Sequence, residues 1–331
     1  MIRVLFWIIL IVLLTACATS APPTLIPSSI PSAISTDMPT PVPPTVIPSQ
    51  TVAPTETPRP LVPDFQHIVI IMFENKEFGS VIGNSQMPTY NRLAREYTLL
   101  TQYYAIRHPS LPNYIALMGG DTFGIDRNCN DCFVNAPSLP DLIEATGRSW
   151  KTYQEDMPEP CFLGDTHLYV QKHNPFVYFD PIRLDQERCT RSVVPLSQLS
   201  ADILAGSLPN FMFIKPNICN DSHDCSLDIS DAWLTDLLMT LIPALDLTGQ
   251  PYFVAMLFEE GQGEHTCCGL PEPGGGRVPV VFYSPQVKNG FEDPTPYTHY
   301  SLLKTISAAW GLPYLGHAAE DNHALIVAPW K

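Results

Sequence analysis

At 331 residues and 45% hydrophobic side chains, the chain has material for a sizeable packed core. A formal net charge of −15 argues against binding nucleic acid through its phosphates, which needs clustered Lys and Arg. The acidic balance fits solubility combined with a cation-binding site.

The first residues read as a targeting segment. Arg3 precedes an unbroken apolar run over 4–14, too short to span a bilayer as a stable helix, and the run ends in Leu14-Thr15-Ala16-Cys17. A short basic start, an apolar stretch and small residues before a cleavage point describe a secretory signal. A cysteine at that place resembles the bacterial lipoprotein signal, in which Cys17 becomes the lipidated N-terminus; an ordinary signal peptide with an incidental cysteine is the alternative. Both predict an exported chain. The first predicts a membrane-anchored lipoprotein on the extracytoplasmic side of a bacterial envelope.

Residues 18–63 carry 13 of the chain's 35 prolines and only Asp37, Glu56 and Arg59 as charges. Such a segment cannot bury enough apolar surface to offset its ordering entropy, which predicts an extended tether. At about 3.1 Å per residue its contour is on the order of 140 Å. Composition becomes globular beyond it. The chain therefore divides into a signal over 1–17, a Pro/Thr/Ser-rich disordered tether over 18–63 and one α/β domain over 64–331.

Within the domain, strands alternate with helices. The continuous apolar run over 68–73 fits a strand buried on both faces of a parallel sheet. A helix over 90–97, a strand to about Tyr104 and a helix opening at Ser110 and stopping at Gly119-Gly120 follow. Further buried strands are expected over 211–214, 252–258 and 278–283, with helices over 139–146, 231–241 and 300–310. This alternation predicts a doubly wound α/β sandwich, in which ligands bind beyond the carboxyl ends of strands.

Eight cysteines remain besides Cys17, and an even number in an exported chain implies disulfides. Closeness in sequence suggests Cys129–Cys132 and Cys219–Cys225, leaving Cys161–Cys189 and a vicinal Cys267–Cys268 pair. A zinc site of Cys129, Cys132, Cys267 and Cys268 is the competing arrangement.

Polar residues gather where the sheet rule puts them. The first strand ends in Glu74-Asn75; the segment before the Ser110 helix supplies His108; residues 215–224 follow the strand over 211–214 and include Asn220-Asp221-Ser222-His223-Asp224; Glu259-Glu260 follows 252–258. Singly these are solvated charges, turn residues and caps. Together they put oxygen ligands for a hard or borderline divalent ion beside a serine whose alkoxide that ion would favour. Ser110 fits a helix cap or a nucleophile. His223 lies between two carboxylates able to orient its ring, and Lys172-His173 adds donors for an anionic group.

These residues resemble those of the bacterial phosphoesterase family that joins acid phosphatases with non-haemolytic phospholipases C, within the alkaline phosphatase superfamily. The matching pieces are 67–76, the His-Pro-Ser-Leu-Pro-Asn-Tyr run at 108–114, 172–176, 220–225, 258–261 and 298–306, in family order. The resemblance implies an alkaline phosphatase-like three-layer sandwich around a mostly parallel sheet. It implies Ser110 as phosphorylated nucleophile, His223 as general acid and His173 beside the phosphate. The metal ligands would be Glu74, Asn75, Ser110, Glu259 and Glu260, around one divalent ion (Ca, Mg, Mn or Zn). Asn113 would hold a phosphoryl oxygen; Lys172, His108 and Asn220 would contact substrate, with Asp221, Asp224 and His299 behind them. Where the family usually has an aspartate-led acidic pair, this chain has Glu259-Glu260, which moves a carboxylate by roughly 1.5 Å. The activity implied is hydrolysis of a small phosphate monoester; a phospholipase C or other phosphodiesterase, and a catalytically inactive surface-displayed binding protein, are the alternatives.

Overall fold

The structure, a computed structural model, describes residues 60–331. The signal, Cys17 and residues 18–59 lie outside the described residues. Val62 and Phe65 are already buried ahead of the first strand.

The strands are β1 (His67–Phe73), β2 (Thr98–Leu100), β3 (Tyr103–Tyr104), β4 (Trp150–Gln154), β5 (Val193–Pro195), β6 (Phe211–Lys215), β7 (Tyr252–Phe258), β8 (Val280–Tyr283), β9 (Phe291–Asp293) and β10 (Tyr297–Thr298). The helices are α1 (Phe78–Val81), α2 (Pro88–Glu96), α3 (Ser110–Gly119), α4 (Leu139–Ala145), α5 (Asp180–Arg183), α6 (Gln186–Ser192), α7 (Gln198–Leu204), α8 (Leu227–Leu247) and α9 (His299–Ala309). The expected helices are thus present within a few residues, except that α8 runs well beyond 231–241 and carries Pro243 inside it.

The main sheet has the order β5-β4-β6-β1-β7-β8-β2-β9. Its β5-to-β7 half is parallel, and every residue of β1, β6 and β7 is buried, as a sheet covered on both faces requires. β8 departs from a wholly parallel sheet: it runs antiparallel to β7 and β2. No helix intervenes over 259–279, and a parallel return needs a crossover, so the chain comes back in the opposite direction. The strand expected up to Tyr104 is split, β2 joining the main sheet and β3 pairing with β10.

Register sets the site. Phe73 lies opposite Phe258, so Glu74 and Glu259 leave the sheet side by side. Glu259 N donates to Phe73 O at 3.1 Å, and Glu74 N donates to Asp221 O at 2.8 Å, which ties in the segment after β6. Opposite this edge α3 packs with all ten residues buried and stops at Gly120, whose φ of 77° suits glycine; a Cβ there would lie 2.3 Å from Leu315 O.

Both cysteine pairs suggested by spacing, Cys129–Cys132 and Cys219–Cys225, are bonded, as are the two left over, Cys161–Cys189 and Cys267–Cys268. The zinc arrangement is thereby corrected, because its four thiols are consumed in two of these bonds.

One long-range cap holds two helices together. α2 has no side-chain cap of its own, and the buried Asp231 of α8 accepts from Thr89 N and Tyr90 N, each at 2.9 Å. Asp231→Ala leaves those donors unmatched and removes a carboxylate from a helix N-terminus. It is expected to cost about 2 kcal/mol, measured by urea unfolding of the domain, and a change below about 0.5 kcal/mol would contradict the assignment.

Candidate active site

Ser110 opens α3 after Pro109, and only 2% of it is exposed. Its hydroxyl makes no cap bond to its own helix. It faces two carboxylates instead, Glu260 Oε1 at 2.9 Å and Glu74 Oε2 at 3.3 Å.

Three buried carboxylates share this space. Glu259 Oε2 accepts from Asn75 N at 2.8 Å, an N–H aimed there because Asn75 sits at φ 50°, a conformation asparagine tolerates better than most residues. Glu259 Oε1 is buried with no hydrogen-bond partner. Burial first, and then the charge of Glu74, push the Glu259 carboxyl well above the usual range. Burial opposes ionisation of Glu74 as well, but the charges of His173 and Lys215 outweigh it and hold that carboxyl well below. The two neighbouring carboxyls are thus pushed in opposite directions. Glu260 Oε2 pairs with His108 Nδ1, while His108 Nε2 meets Gly263 O at 2.9 Å. The hydrogen bond to Glu260, helped by Gly263 O and opposed by burial, raises His108 to about 8. With an acceptor at each nitrogen, the ring is a cation near neutral pH.

A second cluster lies behind the first. Glu74 Oε1 accepts from Tyr114 Oη, lies 3.6 Å from Lys215 Nζ and lies 3.2 Å from His173 Nε2, the last without hydrogen-bond alignment. Lys215 Nζ pairs with Asp221 Oδ2 at 2.5 Å, and His173 Nδ1 is 3.4 Å from the same oxygen. Glu74, His173 and Asp221 each offer a ligand atom within 4.8 Å of the others.

The exposed histidine at this edge is His223. Its Nδ1 meets Asp224 Oδ1 at 2.6 Å, its ring centroid is 6.0 Å from that of His173, and its backbone N donates to Asp221 Oδ1 at 2.9 Å. Asp224 thus orients the ring, whereas Asp221 fixes the backbone.

Several residues expected to contact substrate are engaged elsewhere. Asn113 spends its amide on the preceding loop: Oδ1 accepts from Ile106 N and Arg107 N, and Nδ2 donates to Arg107 O. Asn220 Nδ2 donates to both oxygens of Glu155 at 3.0 Å. His173 is buried between Glu74 and Asp221. His299 meets Glu259 O at 2.6 Å and the Tyr103 hydroxyl at 3.1 Å, and burial lowers it to about 4. Lys172 is half-buried in the short turn before His173.

Sequence reading missed Tyr114 and Lys215. Tyr114 stands four residues after Ser110 on the same helix face, a spacing that could have found it. Lys215 closes an otherwise apolar strand run, a weaker sign. Glu77 was also missed: it accepts from Gln262 N, Gly263 N and Arg277 N, each at 3.0 Å, fastening the base of the segment after Glu260. Gly261 is needed beside it, since a Cβ there would lie 2.2 Å from Glu77 Oε2.

The sequence and the fold are similar to those of known proteins. The phosphate-repressible acid phosphatase of Penicillium chrysogenum is 36% identical over 263 residues, covering 76% of this chain and 60% of that protein. The phosphatidylinositol-3-phosphatase of Mycobacterium tuberculosis is 32% identical over 266 residues, covering 78% of this chain and 81% of that one. The chain spans only 56–63% of the length of the fungal acid phosphatases it matches. A crystal structure of a protein in the alkaline phosphatase superfamily from Vibrio parahaemolyticus aligns with a TM-score of 0.53 at 10% identity, over 78% of this chain and 71% of that one. That likeness identifies the fold, an α/β sandwich around a mostly parallel sheet. The model described as Phosphoesterase family matches residues 83–313, and on that span the chain belongs to the Phosphoesterase family.

Proposed function

We propose that the chain is a metal-dependent phosphoric ester hydrolase that works through a phosphoserine on Ser110. The observation that carries this reading is the buried Ser110 hydroxyl, hydrogen-bonded to two carboxylates, Glu74 and Glu260, from adjoining strand ends. The acid phosphatases and the phosphatidylinositol-3-phosphatase among its relatives support the substrate class, a phosphate monoester.

The donor set fits a divalent ion. Glu259 Oε1 is buried without a partner, and burial together with the charge of Glu74 beside it raises the Glu259 carboxyl, a penalty that a bound cation would relieve. Glu74, Asn75, Ser110, Glu259 and Glu260 would hold the ion, and all-oxygen donors favour a hard or borderline one. Bound there, it would supply polarisation of a phosphoryl oxygen and favour the serine alkoxide.

The chain's own groups supply the remaining chemistry. Ser110 Oγ attacks phosphorus as Glu260 Oε1 takes the hydroxyl proton. The P–O bond to the alcohol breaks, and His223, its ring held by Asp224, gives the departing oxygen a proton. Water then attacks phosphorus and gives a proton to His223, the Ser110 Oγ–P bond breaks, Glu260 returns its proton to the serine oxygen, and phosphate leaves. His108, paired with Glu260 Oε2, holds that carboxylate in place with Oε1 toward Ser110. Outside the described residues, Cys17 would anchor the enzyme to a membrane with the tether spacing it from the surface.

Three outcomes test this reading. Ser110→Ala, still folded by circular dichroism, should lose roughly 10³-fold or more in kcat on p-nitrophenyl phosphate, and chelator dialysis of the wild type should abolish turnover reversibly. Unchanged hydrolysis by Ser110→Ala removes the nucleophile, and no hydrolysis under any metal favours a binding protein. p-Nitrophenyl phosphate should be preferred to bis-p-nitrophenyl phosphate; the reverse preference indicates a phosphodiesterase. Cys17→Ala should move the protein from the membrane to the soluble fraction of a bacterial host, and a wild type already soluble contradicts the anchor.

A further inference from the structure

The cluster behind the nucleophile has the composition of a metal site. Two carboxylates and an imidazole, Glu74, His173 and Asp221, converge within 4.8 Å, and each is at most 2% exposed. His173 Nε2 is buried there with no hydrogen bond. Such a mixed oxygen and nitrogen set suits manganese or zinc.

A side chain of this protein already supplies a cation to that space. Lys215 closes β6, is 1% exposed, and puts Nζ 2.5 Å from Asp221 Oδ2 and 3.6 Å from Glu74 Oε1. A buried ammonium is tolerated only against compensating charge, and here the compensation comes from the same two carboxylates.

We propose that the Lys215 ammonium is a built-in substitute for a second divalent ion, occupying the position that Glu74, His173 and Asp221 would otherwise offer to metal. Glu74 is thereby divided between two cations: Oε1 faces Lys215, and Oε2 faces Ser110 and the single ion of the active site. The centre keeps its rear positive charge whatever the metal supply. This inference rests on the one-ion reading of the active site and adds the reason for the number.

The test counts ions. Wild-type protein and Lys215→Ala are equilibrated with millimolar manganese, desalted and assayed by elemental analysis, and crystals of both are examined by anomalous scattering at the manganese edge. The wild type should hold one ion, near Ser110. Lys215→Ala should hold two, the second between Glu74, His173 and Asp221. The double variant Lys215→Met with Asp221→Asn, which loses one charge of each sign and one ligand, should return to one. A single ion in folded Lys215→Ala overturns the inference while leaving the active-site reading intact. So does a failure of Lys215→Ala to fold with manganese present, because the metal should replace the lost charge. Two ions in the wild type overturn it as well. A wild type with no ion near Ser110 overturns the active-site reading and this inference together.

Discussion

Buried negative charge at one end of one sheet is the constraint on which this molecule depends. Glu74, Glu259, Glu260 and Asp221 lie at most 3% exposed just beyond the ends of three adjacent strands. Like charges so close and so dry cannot all be ionised without cations. The chain meets that demand with His108 on Glu260 and Lys215 between Glu74 and Asp221, and it leaves Glu259 incompletely satisfied. Positive charge from outside is what the remaining deficit attracts, whether as a metal ion or as a proton.

The parallel half of the sheet makes this concentration possible. Because β6, β1 and β7 are adjacent and run the same way, their carboxyl ends open at one edge, and the register of Phe73 with Phe258 sets two glutamates shoulder to shoulder. α3 then brings a serine from the opposite side. Apolar burial along these strands provides the stability that allows the edge to hold groups that would otherwise repel one another.

Much of this was legible in residue order. Unbroken apolar runs announce strands buried on both faces, and the polar residues just beyond them mark the sheet edge, which is why Glu74, Asn75, Glu259 and Glu260 could be named. β4 was not legible, because Trp150-Lys151-Thr152-Tyr153-Gln154 looks polar until Asp202 is seen pairing with Lys151 Nζ and the Tyr153 hydroxyl. Lys215 and Tyr114 both meet Glu74, distant in sequence; helix spacing from Ser110 hints at Tyr114, but nothing in residue order brings Lys215 against Glu74 as well as the nearby Asp221. Asn113 shows the converse limit. Its neighbours in sequence suggest a phosphate donor, but the loop at 106–109 takes up its amide, and nothing in residue spacing reveals which way a side chain turns.

The grip of Glu77 on the segment after Glu260 separates two kinds of variation. One carboxylate joins 262–263 to 277, so the strand end bearing Glu259 and Glu260 is closed off from the stretch beyond. That stretch includes the Cys267–Cys268 pair and a wall of a cavity of about 390 Å³ shared with Arg107, His108 and Tyr300. A substitution in that stretch therefore reshapes the cavity wall without loading the backbone beside Glu259 and Glu260.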